Sequence, residues 1–283
     1  MLGGLLRSIR DDRKERRRIA RRLEELRDAG LVFISHGKSG RTWVRVMLSH
    51  IYHLRYGVPA DQLVEGDNFH RHDARIPICF FTHDQNEDAP VRRELVRDRL
   101  AAKKVVFLVR DPRDVLVSRY HHRAFRHSTE KREKAGLPRD MAEMPVIDFA
   151  RHPRLGLPAV IDIMNKWHAE TAGLPQAMRL RYEDLLADTE GELGRLTAFL
   201  GESCSSREIA AAASFASFQS MQSKEREGFF QTDVLRPADP ENPQSFKVRR
   251  GIAGGYRDYF SAEEQTELDQ VVRSRLDPAF GYA

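Results

Sequence analysis

The 283-residue chain has two cysteines, Cys79 and Cys204, too few for a disulfide framework. Cys79 stands in the apolar run Ile78-Cys79-Phe80-Phe81, where a reduced thiol behaves as a small hydrophobe, so a reducing, cytoplasmic setting is expected. No run of about 18 apolar residues exists to cross a bilayer. The start, Met1-Leu-Gly-Gly-Leu-Leu-Arg7, has one short apolar patch followed at once by charges, which does not fit a secretory signal. Aromatic residues are 8% of the chain and form no stacking platform for nucleic acid. His70, His72 and Asp73, or the pair His121-His122, have ligand chemistry without any compact zinc spacing, so no metal is expected. Internal repeats, low-complexity tracts and linkers are likewise missing.

What the chain does have is length enough for a large core, 31% charged residues and a net charge of +5. With a mean hydropathy of −0.56 this is the composition of a globular protein, and a pI near 9.3 hints at an anionic partner. Residues 1–29 hold ten Lys and Arg against six Asp and Glu, and residues 101–135 hold ten against four. In the first of these segments Ile19, Leu23 and Leu26 fall at i, i+4 and i+7, which predicts a basic amphipathic helix over 1–29 preceding a body at 30–283. Such a helix either packs on the body with its charges solvated or forms an arm for an anionic membrane surface or nucleic acid.

In the body, apolar runs at 31–35, 78–82, 105–109 and 177–182 read as buried strands, and 42–54, 159–171 and 184–200 read as helices. The polar, proline-broken stretch 121–154 reads as loops and short helices, and 229–255 as mostly loop. The expectation is an α/β fold: a single domain with a central parallel sheet flanked by helices.

Three places in this frame attract an anion. His36-Gly37-Lys38-Ser39-Gly40-Arg41-Thr42-Trp43 sits where a strand gives way to a helix, so free amides and the positive helix end point at one spot, and Lys38 adds full charge. This is a P-loop-like phosphate site without the nucleoside-triphosphate pattern G-x-x-x-x-G-K-[ST], because Val32 stands where the first Gly is required. Arg110 lies at the C-terminal end of a strand, followed by Pro112 at the start of the next helix and Ser118 two turns on. The alternative there is an Asp–Arg network that caps the helix. Lastly, Lys247-Val-Arg-Arg-Gly251 places three cations beside a flexible Gly, a flap able to fold onto a phosphate or else a solvated basic run.

Taken in order and spacing, Lys38-Ser39-Gly40-Arg41-Thr42-Trp43, Arg110 with Ser118, Arg181-Tyr182-Glu183-Asp184, and Arg249-Arg250-Gly251 with Ala253-Gly254 following resemble the motifs of the cytosolic-type sulfotransferases, over roughly residues 31–264. The resemblance implies a transfer of the sulfuryl group from 3′-phosphoadenosine 5′-phosphosulfate (PAPS) to a hydroxyl or amine, with no metal. It implies that Lys38, Ser39, Gly40, Arg41 and Thr42 cradle the 5′-phosphosulfate while Trp43 stacks on adenine. Arg110, Ser118, Arg249, Arg250 and Gly251 would hold the 3′-phosphate, and Tyr182, Ser217 and Phe218 would line the adenine pocket. The family's base is a histidine just after a strand between the first two motifs, a place taken by His83 in Phe80-Phe81-Thr82-His83, with His36 next in line. Lys38 would steady the leaving phosphate.

Several residues depart from the family pattern. Arg41 replaces a common Thr, Phe81 a Lys often found two residues before the base, and Gly255-Tyr256-Arg257 a common Asp-Trp-Lys. The short C-terminal dimerisation pattern is unmatched, so the oligomeric state stays open. The acceptor, a small molecule or glycan, would be met by loops at 70–75, 84–91, 121–158 and 229–243, whose frequent cations favour a polar or acidic group. Two other functions are weighed: a P-loop-type kinase using ATP and magnesium, and a basic module binding nucleic acid or a membrane surface.

Overall fold

The computed structural model describes residues 2–83, 87 and 89–282, with side chains described from Arg13 onward. Met1, the side chains of the apolar patch at 2–7, and residues 84–86 and 88 of one expected acceptor loop therefore lie outside what is described. Four strands, β1 (Leu31–Ser35), β2 (Cys79–Thr82), β3 (Lys104–Val109) and β4 (Ala177–Arg181), form one parallel sheet in the order β2-β1-β3-β4. Val32 pairs with Phe80 on one side and Val105 on the other, and Val106 with Met178.

Every residue of β1 and β2 is buried, as a parallel sheet covered on both faces requires. Alternate side chains serve opposite cores. Val32, Ile34, Phe80, Val105 and Phe107 face one cluster; Leu31, Phe33, Cys79, Phe81 and Val106 face the other. Before the sheet runs α1 (Leu2–Asp28), and between the strands α2 (Arg41–Tyr56), α3 (Ala89–Glu94), α4 (Arg97–Leu100), α5 (Pro112–Arg126), α6 (Thr129–Lys134), α7 (Val146–Arg151) and α8 (Leu157–Thr171). After β4 come α9 (Tyr182–Ala187), α10 (Thr189–Leu200), α11 (Ser206–Phe215), α12 (Phe218–Glu227) and α13 (Ala262–Arg275). Helices α5, α8 and α13 supply the first core, with Trp167 fully buried; α2, α10 and α11 supply the second. The end of α1 joins the first core through Leu26, and Arg22 lies 3.9 Å over the Phe80 ring while pairing with Glu25 and Glu87. None of the described helices is long and apolar enough to cross a membrane.

Two expectations from periodicity are corrected. The leucine-rich stretch 184–200 is two helices, because the Asp188 side chain accepts from Gly191 N at 2.9 Å and starts α10 afresh, and Tyr182 already belongs to α9 rather than to the strand. Helix α5 also runs past His121 to Arg126, since Val115, Leu116, Tyr120 and Ala124 carry its apolar stripe through the polar segment.

Between α12 and α13 the chain is largely irregular, and a buried carboxylate fixes its middle. Glu225, with no exposed surface, accepts from Lys247 N at 2.7 Å and Val248 N at 2.8 Å, and pairs with Arg126 at 3.3 Å. Glu225→Ala should cost about 3 kcal/mol, the scale for a buried charge partner removed. Urea titration checks this, and an unchanged midpoint would show that the tail is held by other contacts.

Candidate active site

Strand β1 leads to β2 on one side and neighbours β3 on the other, so the loops after β1 and β3 part at this switch point and leave a crevice. In the first loop, Lys38 has φ 82, the sole positive φ of a non-glycine among the described residues, and Gly40 has φ 101. A left-handed Lys costs roughly 1–2 kcal/mol. Gly40 is also the N-cap of α2 with no side-chain cap, which leaves the helix's first amides to an incoming anion. A Cβ on Gly40 would lie 2.7 Å from Tyr182 Cδ2, so only glycine lets the loop rest on that ring.

From the end of β3, Arg110 donates to Lys38 O at 3.4 Å and Ile252 O at 3.1 Å, and its guanidinium lies 4.2 Å over the Tyr182 ring. One turn on, the buried Asp114 carboxylate accepts from Gly254 N at 2.8 Å and Tyr256 N at 2.9 Å, which draws the glycine-rich tail across the crevice. There Gly251, at φ 62, lies so close to Phe218 that a Cβ would meet Cδ2 at 2.5 Å. Arg249 donates to the Tyr259 hydroxyl and Arg250 pairs with Asp258. Trp43 Nε1 donates to Ala216 O at 2.8 Å, tying α2 to the turn where Ser217 caps α12. The Asp–Arg cap is present beside Arg110: Asp111 accepts from Arg113 N and also holds its guanidinium.

These elements enclose a cleft of about 1240 Å³ lined by Lys38, Gly40, Arg41, Thr42, Trp43, His83, Arg110, Ser118, Ser217, Phe218, Arg249, Arg250 and Gly251. Two of the expected residues do not line it. Ser39 is 1% exposed inside the loop, and Tyr182 lies beneath Gly40 as a floor. His36 is buried behind the loop with Nδ1 donating to Gly37 O at 2.8 Å, so of the two histidine candidates only His83 reaches the cleft. His83 Nδ1 lies 2.9 Å from Ser35 O; donation there leaves the Nε2 lone pair free. Burial, then the Arg41 charge, holds His83 well below its ordinary range and hence neutral.

Sequence reasoning missed the anchors Asp114 and Glu225 and the cleft cations Arg119, Arg123 and Arg126; the surplus of cations at 101–135 was the one visible signal, and only of the three arginines. Burial pushes Lys38 down to about 7, aided by the charges of Arg126 and Arg110, and pushes Lys247 well down, aided by Lys38 and Arg41. His70 contacts Ile76 O and Asp73 pairs with Arg75, contacts that build a turn. Among the described residues no three His, Cys, Asp or Glu side chains gather as a metal site.

Fold and cleft together define an α/β protein with a cation-rich cleft at its switch point. The family described as sulfotransferase domain matches residues 28–279. Cytosolic sulfotransferase 3 of Arabidopsis thaliana is 23% identical over 261 residues, covering 88% of this chain and 77% of the relative. Human sulfotransferase 2B1 is 21% identical over 274 residues, covering 91% and 69%. A mouse sulfotransferase complexed with PAP superposes with a TM-score of 0.57 at 17% identity, over 88% of this chain and 84% of the other. Retinol dehydratase in complex with androsterone and the inactive cofactor PAP gives 0.55 at 20% identity, over 87% and 80%. The chain belongs to the sulfotransferase family and is an enzyme of that class.

An anion bound in this cleft favours the charged form of Lys38, so binding takes up a proton wherever the free amine is neutral, that is, above about pH 7. Sulfate, which does not titrate in this range, should therefore bind more weakly as pH rises from 7 to 9, by up to about tenfold per unit. Calorimetry in buffers of different ionisation enthalpy measures both effects. An affinity independent of pH would mean that Lys38 stays charged throughout.

Proposed function

We propose that this sulfotransferase carries the sulfuryl group from PAPS to a hydroxyl or amine of a small-molecule or glycan acceptor in the cytoplasm, with His83 as general base. The observation that carries the reading is the convergence of the β1–α2 loop, Arg110 and the tail at 249–251 on the cleft that His83 enters. The Lys38 loop and the amides of α2 would hold the phosphosulfate, and Arg110, Ser118, Arg249 and Arg250 the 3′-phosphate. Trp43 and Phe218 offer aromatic faces to the adenine, with Tyr182 supporting the loop from below.

In the transfer, the bond between sulfur and the 5′-phosphate oxygen breaks while the acceptor's oxygen or nitrogen bonds to sulfur. The acceptor proton goes to His83 Nε2, and adenosine 3′,5′-bisphosphate (PAP) leaves with the bridging oxygen. Lys38 and Arg41 offset the charge gathering on that oxygen, so positioning and fixed charge supply much of the rate. Neutral His83 suits the role, because an already protonated imidazole accepts nothing.

PAP at about one hundred times its Kd should stabilise the protein by about 2.7 kcal/mol, a rise in Tm of about 5 °C, whereas ATP with magnesium should do far less. Stronger stabilisation by ATP would favour a kinase, and none by either a binding module. His83→Ala should lower turnover by roughly two to four orders of magnitude with PAP affinity retained; unchanged turnover removes His83 from the mechanism.

A further inference from the structure

We propose that the wall of the cleft beyond the donor site recognises an anionic group on the acceptor, with Arg119 and Arg123 as its recognition residues, a proposal that rests on the donor reading above. Eleven Lys and Arg side chains line the cleft against four carboxylates. The donor brings about four negative charges, two on its 3′-phosphate and two along the phosphosulfate. A surplus of cations therefore remains after the donor is bound.

That surplus has a place. Arg110 and Arg250 have carbonyl and carboxylate partners, Arg45 pairs with Glu65, and Arg126 is held by Glu225 and the carbonyls of Ser245 and Arg236. Arg119 and Arg123 have no such partners among the described residues. Arg119 is 6% exposed, its Nη1 is buried without an acceptor, and the charge that most affects it is the like charge of Arg123, one turn along α5. A guanidinium withdrawn from water without a counter-charge is costly to the free protein, and a bound anion offsets that cost.

Neighbouring groups show which half of the cleft is involved. His36, 2% exposed and with Nε2 lacking a partner, is held down to about 3 by burial, then by Arg119 and, more weakly, Arg123. His36 in turn neighbours His83. Arg249 and Arg250 act instead on His121. The two arginines thus couple to the His36–His83 side, where the acceptor must sit, while Arg249 and Arg250 couple to His121. His122 and His127, both lining this stretch, are kept neutral by burial and nearby cations and offer ring nitrogens without partners. Leu155, Val234, Leu235 and Phe246 also line the cleft and can carry an apolar part of the acceptor, but they leave the two guanidinium groups without a counter-charge. Guanidinium forks match a carboxylate, sulfate ester or phosphate, so the acceptor class is a hydroxylated or aminated molecule that already bears an anion.

The test uses PAP-loaded full-length protein and two matched pairs: 4-hydroxyphenylacetate against 4-hydroxyphenethyl alcohol, and a hyaluronan tetrasaccharide against chitotetraose. Calorimetry should show the carboxylated member of at least one pair binding about tenfold or more tighter. The double variant Arg119→Gln/Arg123→Gln should abolish that preference while leaving PAP affinity within about threefold, since the two sites share no partner. Arg123→Gln alone, at a half-buried position, should reduce the preference even where the double variant folds poorly. Equal or tighter binding of both neutral members overturns the proposal. So does a parallel loss of PAP affinity, which would place the arginines in the donor site. Wild-type protein that fails to bind PAP overturns the donor reading instead; the same titrations without PAP then decide whether an arginine-dependent carboxylate site stands without it.

Discussion

The buried carboxylate of Asp114 makes one site out of distant parts of the chain. It stands in the first turn of α5, 3.7 Å from Arg110, and takes the amides of Gly254 and Tyr256 from a segment some 140 residues later. Those two hydrogen bonds, with Arg110 reaching both Lys38 O and Ile252 O, fix the tail carrying Arg249, Arg250 and Gly251 relative to the loop carrying Lys38. Burial raises the Asp114 carboxyl while Arg110 and the tail amides oppose that rise, so the same contacts that place the tail also support the ionised form.

Around that anchor the protein accepts electrostatic strain. Lys38, Arg41, Arg119 and Lys247 are all pushed down by burial and by neighbouring cations, and Lys38 also occupies a backbone region that non-glycine residues avoid. A site built for stability would pair these groups or replace them. In the proposed reaction Lys38 and Arg41 meet the developing negative charge, as expected when local rules are broken at a functional site.

Much of this arrangement was legible in the sequence because it rests on local signals. The four strands declared themselves as short apolar runs, and Lys38, Arg110 and Arg249 could be picked out because each adjoins a strand end or a glycine. What stayed hidden depended on long-range contact. Asp188 looked like one polar residue in a leucine-rich helix until its cap on Gly191 was seen, and nothing local marks Glu225, which is fully buried against residues 247 and 248. Tyr182 was expected in the adenine pocket and lies instead beneath Gly40, a distinction of one side-chain layer that spacing does not encode. Arg119 belonged to a visible basic stretch, but its lack of a counter-charge is a fact about its surroundings.

The tail across the cleft is fastened at two points by carboxylates from different helices: Glu225 of α12 holds 247 and 248, and Asp114 of α5 holds 254 and 256. Between these fastenings runs a span too short to swing aside as a lid. It is a strap sewn at both ends, so the entropy of ordering the two arginines is spent when the chain folds rather than when a ligand arrives. Traffic through the site must then pass along the strap and under it, which makes the mouth of the cleft, and not a hinge, the gate for nucleotide entering and leaving.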